Sequence, residues 1–137
     1  MSYLLDTNVL LETIRPHPNA GVKTWFQEVP PEALYISVLT IGEIRRGIEK
    51  LEESKRKIHL ISWLENDLPK WFGTNVLPIS FEVAERWGYM TSTLAPHYLA
   101  AIDTLLAATA LTHNLKMVTR NVKDFQVPGL EVINPFE

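Results

Sequence analysis

Cysteine is absent from this chain of 137 residues, so neither disulfides nor thiolate-bound metals contribute to its stability or chemistry. Histidine is sparse. His17, His59, His97 and His113 show no metal-ligand spacing and read as ordinary residues. Positive charge is not in excess: the net charge is −3, which excludes holding nucleic acid by bulk charge. An enzyme acting on nucleic acid through a metal and a local basic patch remains open. Long apolar runs are missing too. The stretch Leu99 to Leu111 is the most apolar, but it is too short to span a bilayer and contains Asp103. The N-terminus has no basic n-region and Asp6 breaks its first apolar run, so no signal peptide is expected and a cytoplasmic location is. Repeats, low-complexity tracts and linkers are also lacking. Gly42-x-x-x-x-Gly47 is followed by Ile48 instead of the lysine of a phosphate loop, and neither G-x-G-x-x-G nor G-x-S-x-G occurs.

What is present is enough apolar material, 46% of residues, to build the core of one domain over residues 1–137. Short strand-like runs alternate with longer helical ones. Strands are predicted at 2–6, 34–38, 75–79, 116–119 and 131–133. Helices are predicted at 7–15, 20–28, 39–52, 54–68, 81–94 and 99–113, with Pro16, Pro18, Pro30-Pro31, Pro69 and Gly73 as stops. Strands separated by helices imply parallel pairing through right-handed crossovers, hence a three-layer α/β/α sandwich. In such sheets ligands bind beyond the carboxyl ends of the strands, near the point where strand order reverses.

Three acids stand in awkward surroundings. Asp6 ends the run Tyr3-Leu4-Leu5, Glu43 follows the apolar stretch 35–39, and Asp103 interrupts a mostly apolar segment. An unpaired buried carboxylate is unfavourable, so it needs a partner or a metal. Each acid has a plainer reading. Asp6-Thr7-Asn8 are good helix caps, and Asn8 is expected to orient the turn. Thr40-Ile41-Gly42-Glu43 fits a capping box, placing Glu43 in the first turn of its helix, while Ser37 is an alternative cap. Asp103 is harder to dismiss: its helical neighbours are Leu99, Ala100, Leu106 and Ala107, with no lysine or arginine in reach. Asn121 and Asp124 follow the fourth strand, where a turn would use an asparagine anyway. If the fold gathers the acids, an all-oxygen donor set selects Mg²⁺ or Mn²⁺ over Zn²⁺, and the chemistry is metal-assisted hydrolysis. Arg45, Arg46, Lys50, Lys55, Arg56 and Lys57 are interleaved with acids and read mainly as a solvated helix face.

Four segments in order, Leu4-Leu5-Asp6-Thr7-Asn8-Val9, 36–47, 101–110 and Val118-Thr119-Arg120-Asn121-Val122-Lys123-Asp124-Phe125, resemble the PIN-domain ribonucleases. The closer likeness is to VapC- and FitB-like toxins of toxin–antitoxin pairs, down to the ending Asn134-Pro135-Phe136. The resemblance implies a five-stranded parallel sheet, a homodimer and Mg²⁺- or Mn²⁺-dependent endoribonuclease activity, with RNA as substrate. It maps the family's metal-binding acids onto Asp6, Glu43 and Asp103, and a fourth catalytic position onto Asn121. Thr7, Ser37 and Thr119 resemble the hydroxyls that hold those ligands, and Asp124 contributes through water. It also implies an antitoxin lying in a groove, for which Trp25, Phe26 and Trp63 are candidate walls. The competing expectation is a PIN scaffold that binds RNA or an antitoxin without cutting. A receiver-like phosphoacceptor lacks its acidic pair here, and a dehalogenase-type phosphatase would need an acid where Asn8 stands.

Overall fold

The computed structural model describes residues 1–93 and 100–137. Five short strands form one parallel sheet: β1 (Tyr3–Leu5), β2 (Leu34–Ser37), β3 (Val76–Leu77), β4 (Lys116–Val118) and β5 (Val132–Ile133). Their spatial order is β3-β2-β1-β4-β5. The chain therefore moves outward from β1 to β3, then returns to place β4 on the other side of β1. The strand order reverses between β1 and β4, which is where a parallel sheet opens a crevice.

Adjacent strand residues point to opposite faces, and both faces are covered. Leu5, Ile36 and Val118 face one layer, packed by Val9, Leu10, Ile44, Ile48, Leu64, Leu68 and Phe72. Leu4 and Met117 face the other, packed by Leu106, Ala107, Ala110, Phe125 and Val127. The first layer holds α1 (Thr7–Glu12), α2 (Ala20–Glu28), α3 (Val38–Glu49), α4 (Lys55–Ser62) and α5 (Leu68–Phe72). The second holds α6 (Phe81–Thr91) and α7 (Ala101–Thr112), joined by a hydrogen bond from Trp87 Nε1 to Thr104 Oγ1 at 2.8 Å. This is the α/β/α sandwich with a five-stranded parallel sheet that the sequence led us to expect. Among the described residues no helix is long and apolar enough to cross a membrane.

Several boundaries differ from expectation. α1 ends at Glu12, because the buried Glu12 carboxylate accepts the Asn19 N–H at 2.8 Å and Asn19 restarts the chain as the cap of α2. Pro69 does not stop the fourth predicted helix. A π turn over Trp63–Asp67 widens the coil, with the Leu68 N–H reaching back to Trp63, and the chain runs on as α5 with Pro69 in its first turn. A proline is tolerated there because that position donates no helical hydrogen bond. The stop is Gly73, whose φ of +52° suits a residue without a Cβ. The predicted helix ends at 94 and 99, together with His97, lie outside the described residues.

Candidate active site

Asp6 is the anchor. It ends β1, and its N–H donates to the Val118 carbonyl of β4 at 2.9 Å, which fixes it at the switch point. The capping reading holds in part: Asp6 is the N-cap of α1, with one carboxylate oxygen accepting the Thr7 N–H at 2.8 Å. The other oxygen faces β4. It accepts the Thr119 hydroxyl at 2.8 Å and the Asn8 amide at 3.2 Å. Thr119 Oγ1 in turn accepts the Asn121 N–H at 3.0 Å and lies 3.4 Å from the Asn8 amide, so one buried hydroxyl ties the turn after β4 to the start of α1 at Asp6. Asn8 spans the gap on its own, since its side-chain oxygen also accepts the Arg120 N–H at 3.2 Å. Asn8 therefore does more than orient a turn.

Glu43 corrects the capping-box expectation. Ser37 caps α3 by accepting the Leu39 N–H at 3.0 Å, which puts Glu43 in the second turn and beyond reach of the cap. Thr40 is buried, and among the described residues its hydroxyl has no hydrogen-bond partner. Freed from capping, the Glu43 carboxylate accepts the Thr7 hydroxyl at 2.7 Å, so consecutive residues of α1 serve two acids. Asp103 lies in the first turn of α7, half-buried, with only part of the apolar enclosure its helical neighbours implied. Asp124 sits on the 3₁₀ turn Val122–Phe125, which begins at Asn121. Asn121 is exposed, and among the described residues its side chain forms no hydrogen bond; only its N–H joins the network.

Charge couples these groups. Burial raises the Asp6 carboxyl above the ordinary range and Glu43 adds to the rise, against the pull of hydrogen bonds from Thr119, Thr7 and Asn8. Burial pushes Asp103 up to about 6, and repulsion from Asp6, Asp124 and Glu43 adds to it. Four carboxylates from four segments therefore share one field. The ion pairs among the described residues, Arg15–Glu12, Arg45–Glu49, Arg45–Glu65, Lys57–Glu53 and Lys116–Glu131, include none of the four.

These residues fit a hard divalent cation in charge and donor chemistry: all-oxygen, acidic, without sulfur or imidazole. They are not drawn together into a closed cage. Among the described residues no three acids or histidines are close enough to hold one ion as they stand. Asp6 is held by hydrogen bonds from Thr119, Asn8 and Thr7, and Glu43 by the Thr7 hydroxyl, whereas the half-buried Asp103 carboxylate has no hydrogen-bond or ion-pair partner among the described residues.

The residues that sequence reasoning left without a role are Arg120 and Phe136. The Arg120 guanidinium carbon stands 3.9 Å from the centroid of the Phe136 ring, at the outer end of β4. The candidate groove residues Trp25 and Phe26 stack edge to face at 5.2 Å and pack against the core, with Tyr3 on one side and Trp71 on the other.

Comparison with known proteins follows the geometry. The sequence profile of the PIN domain matches residues 3–128. Toxin FitB of Neisseria gonorrhoeae is 36% identical over 135 residues, covering 97% of each chain. A crystal structure of FitAcB from that organism superposes with a TM-score of 0.89 at 35% identity, covering 98% of this chain and 99% of that one. VapC ribonuclease Y4jK of Sinorhizobium fredii is 29% identical over 136 residues, covering 98% of this chain and 97% of its own. A toxin–antitoxin complex from Klebsiella pneumoniae contains a chain of 30% identity and TM-score 0.71, with 99% of each chain covered. With its sheet order, its acids at the switch point and this match along almost its whole length, the chain belongs to the PIN domain family.

Proposed function

We propose that the chain is a metal-dependent endoribonuclease, the toxin of a toxin–antitoxin pair, and that it hydrolyses phosphodiester bonds in single-stranded or looped RNA. The observation that carries this is that Asp6, Glu43, Asp103 and Asp124, from four segments, repel across the β1/β4 end of the sheet, with none of them in an ion pair among the described residues. A relative named as a VapC ribonuclease and one named as a toxin support the activity and the biological setting. The Klebsiella toxin–antitoxin complex supports a protein antitoxin as partner. Unpaired RNA is favoured because its backbone and bases are accessible to a shallow acidic edge.

Asp6 and Asp103 would hold Mg²⁺ or Mn²⁺, with Glu43 as a third ligand. Bound there, the cation supplies Lewis acidity and offsets the charge of the phosphodiester. The chain supplies the rest. Thr119, Asn8 and the Thr7 N–H keep the Asp6 oxygens aimed, so no reorientation is needed when substrate arrives. Thr7 holds Glu43 beside them, where its carboxylate can take a proton from the attacking water. Asn121 and Asp124 stand at the outer edge and would orient water. Ser37 acts at a distance by capping α3, the helix that presents Glu43. We also read the protein as a homodimer, supported by Phe81 and Tyr89, which leave α6 mostly exposed at 76% and 84%.

Incubation of the purified chain with an unstructured RNA tests the activity. Cleavage is expected with Mg²⁺ or Mn²⁺, none in EDTA, and none for Asp6→Asn or Asp103→Asn. Intact RNA in the presence of either metal refutes the reading and favours a scaffold that binds without cutting, for which the open spacing of the acids would be the structural basis.

A further inference from the structure

Most of the cations near carboxylates are already engaged. Arg45 pairs with Glu49 and Glu65, and the buried Lys57 ammonium is held by the Leu51 carbonyl and Glu53. Arg120 differs. It directly follows Thr119, which holds Asp6, and its own N–H is bonded to Asn8, which also holds Asp6. Its backbone is thus fixed relative to the acidic crevice. Its exposed side chain forms no ion pair among the described residues. It lies instead over the Phe136 ring at 3.9 Å.

That ring is itself anchored. Thr119 donates to the Ile133 carbonyl at 2.9 Å, which brings the C-terminal residues past the end of β4. The Phe136 N–H donates to Asn134 at 3.0 Å, and the ring packs against the core. On the far side, a Cβ at Gly21 would stand only 2.5 Å from the Pro135 carbonyl oxygen, so α2 and the tail are in direct backbone contact. Stacking on an aromatic ring occupies the face of a guanidinium and leaves its in-plane N–H donors open. An open guanidinium edge matches the paired oxygens of a phosphate.

We propose that Arg120, seated on Phe136, binds a backbone phosphate of the RNA strand next to the one being cut, with Phe136 as its positioning residue. This rests on the ribonuclease reading above. In a chain of net charge −3, a cation whose backbone is tied to the Asp6 network and whose guanidinium rests on Phe136 gives the strand a local attraction that the whole protein does not.

The test is anisotropy of a labelled single-stranded oligoribonucleotide with Mg²⁺, in an Asp103→Asn background that does not cleave, across a range of salt. Arg120→Gln should weaken binding roughly tenfold and lower the salt slope by about 0.7, the loss of one single-strand phosphate contact. Phe136→Leu should weaken binding by less, roughly threefold, and add little to Arg120→Gln, because both act through one guanidinium. Phe136→Tyr should bind normally. Unchanged affinity and slope in a folded Arg120→Gln protein overturn the proposal and point to an acidic protein surface as the occupant. If that variant misfolds, Arg120→Lys decides: it keeps charge without the fork, so wild-type binding overturns the proposal and an intermediate loss supports it. The two readings fail separately. Arg120-dependent binding without wild-type cleavage sinks the ribonuclease and leaves the phosphate seat standing.

Discussion

Replacing Asp103 by asparagine removes a negative charge that the fold tolerates poorly while keeping nearly the same shape. Burial and the charges of Asp6, Asp124 and Glu43 raise its carboxyl from 3.8 to about 6. A shift of about two units corresponds to ~3 kcal/mol in full. Asp103 is only half-buried, and solvent screening reduces that to about 1–2 kcal/mol. The direction follows from linkage. The folded protein binds this proton more tightly than the unfolded chain does, so the contribution to stability is fully present below pH ~4. It is lost as pH rises through about 6, and the metal-free protein is weakest above that. Asp103→Asn should therefore be more stable than the parent by about 1–2 kcal/mol at pH 7.5 in EDTA, roughly 3–6 °C in Tm for a domain of this size. At pH 4 the two should converge. Mg²⁺ should reverse the order: at a hundredfold excess over its Kd it stabilises the parent by about 2.7 kcal/mol and the variant by much less. Urea unfolding at both pH values, with and without Mg²⁺, reads all of this. A variant less stable than the parent at pH 7.5 in EDTA, or a gap equal at both pH values, refutes the electrostatic account of the site.

Other outcomes are as specific. Thr119→Val takes away the hydroxyl shared by Asp6 and the Asn121 N–H, and should cut the cleavage rate roughly 10- to 100-fold at saturating metal; a rate within twofold of the parent would show that Asp6 needs no such support. Ser37→Ala should destabilise by about 1 kcal/mol through loss of the α3 cap. Thr40→Val should be neutral or stabilising by up to about 1 kcal/mol, because its buried hydroxyl has no partner among the described residues; the opposite ranking in thermal melts would restore the capping box. Gly21→Ala should displace the C-terminal tail, destabilise by roughly 1–3 kcal/mol and weaken RNA binding with it, since the opposing atom is backbone and cannot rotate away. Normal melting and binding for that variant would mean the tail does not depend on α2.

Much of the candidate site was legible without coordinates because its logic is local. A parallel sheet places ligands at strand ends, and Asp6 ends a short apolar run that reads as a strand and forms one. Asp103 lacks a basic partner within helical reach, and that also is a local property. Glu43 shows where local reasoning runs out. A capping box and a site carboxylate have the same spacing, and the choice was made by Thr7, a residue far away in the chain whose hydroxyl the fold delivers to it. Asn121 shows the converse, since a position assigned by resemblance turned out exposed, with only its backbone in the network.

The order of residues alone determined the layered architecture and the strand and helix sequence, and singled out the candidate acids, because side-chain period and strand-end placement depend on neighbours in the chain. Tertiary structure decided which oxygens serve which acid, how far Asp103 is pushed toward neutrality, and that Arg120 rests on Phe136. Those depend on distances between segments that the sheet order β3-β2-β1-β4-β5 sets and no local pattern encodes. The π turn belongs with them: Pro69 continues a helix because packing of Leu64, Leu68 and Phe72 against the core outweighs a local stop signal.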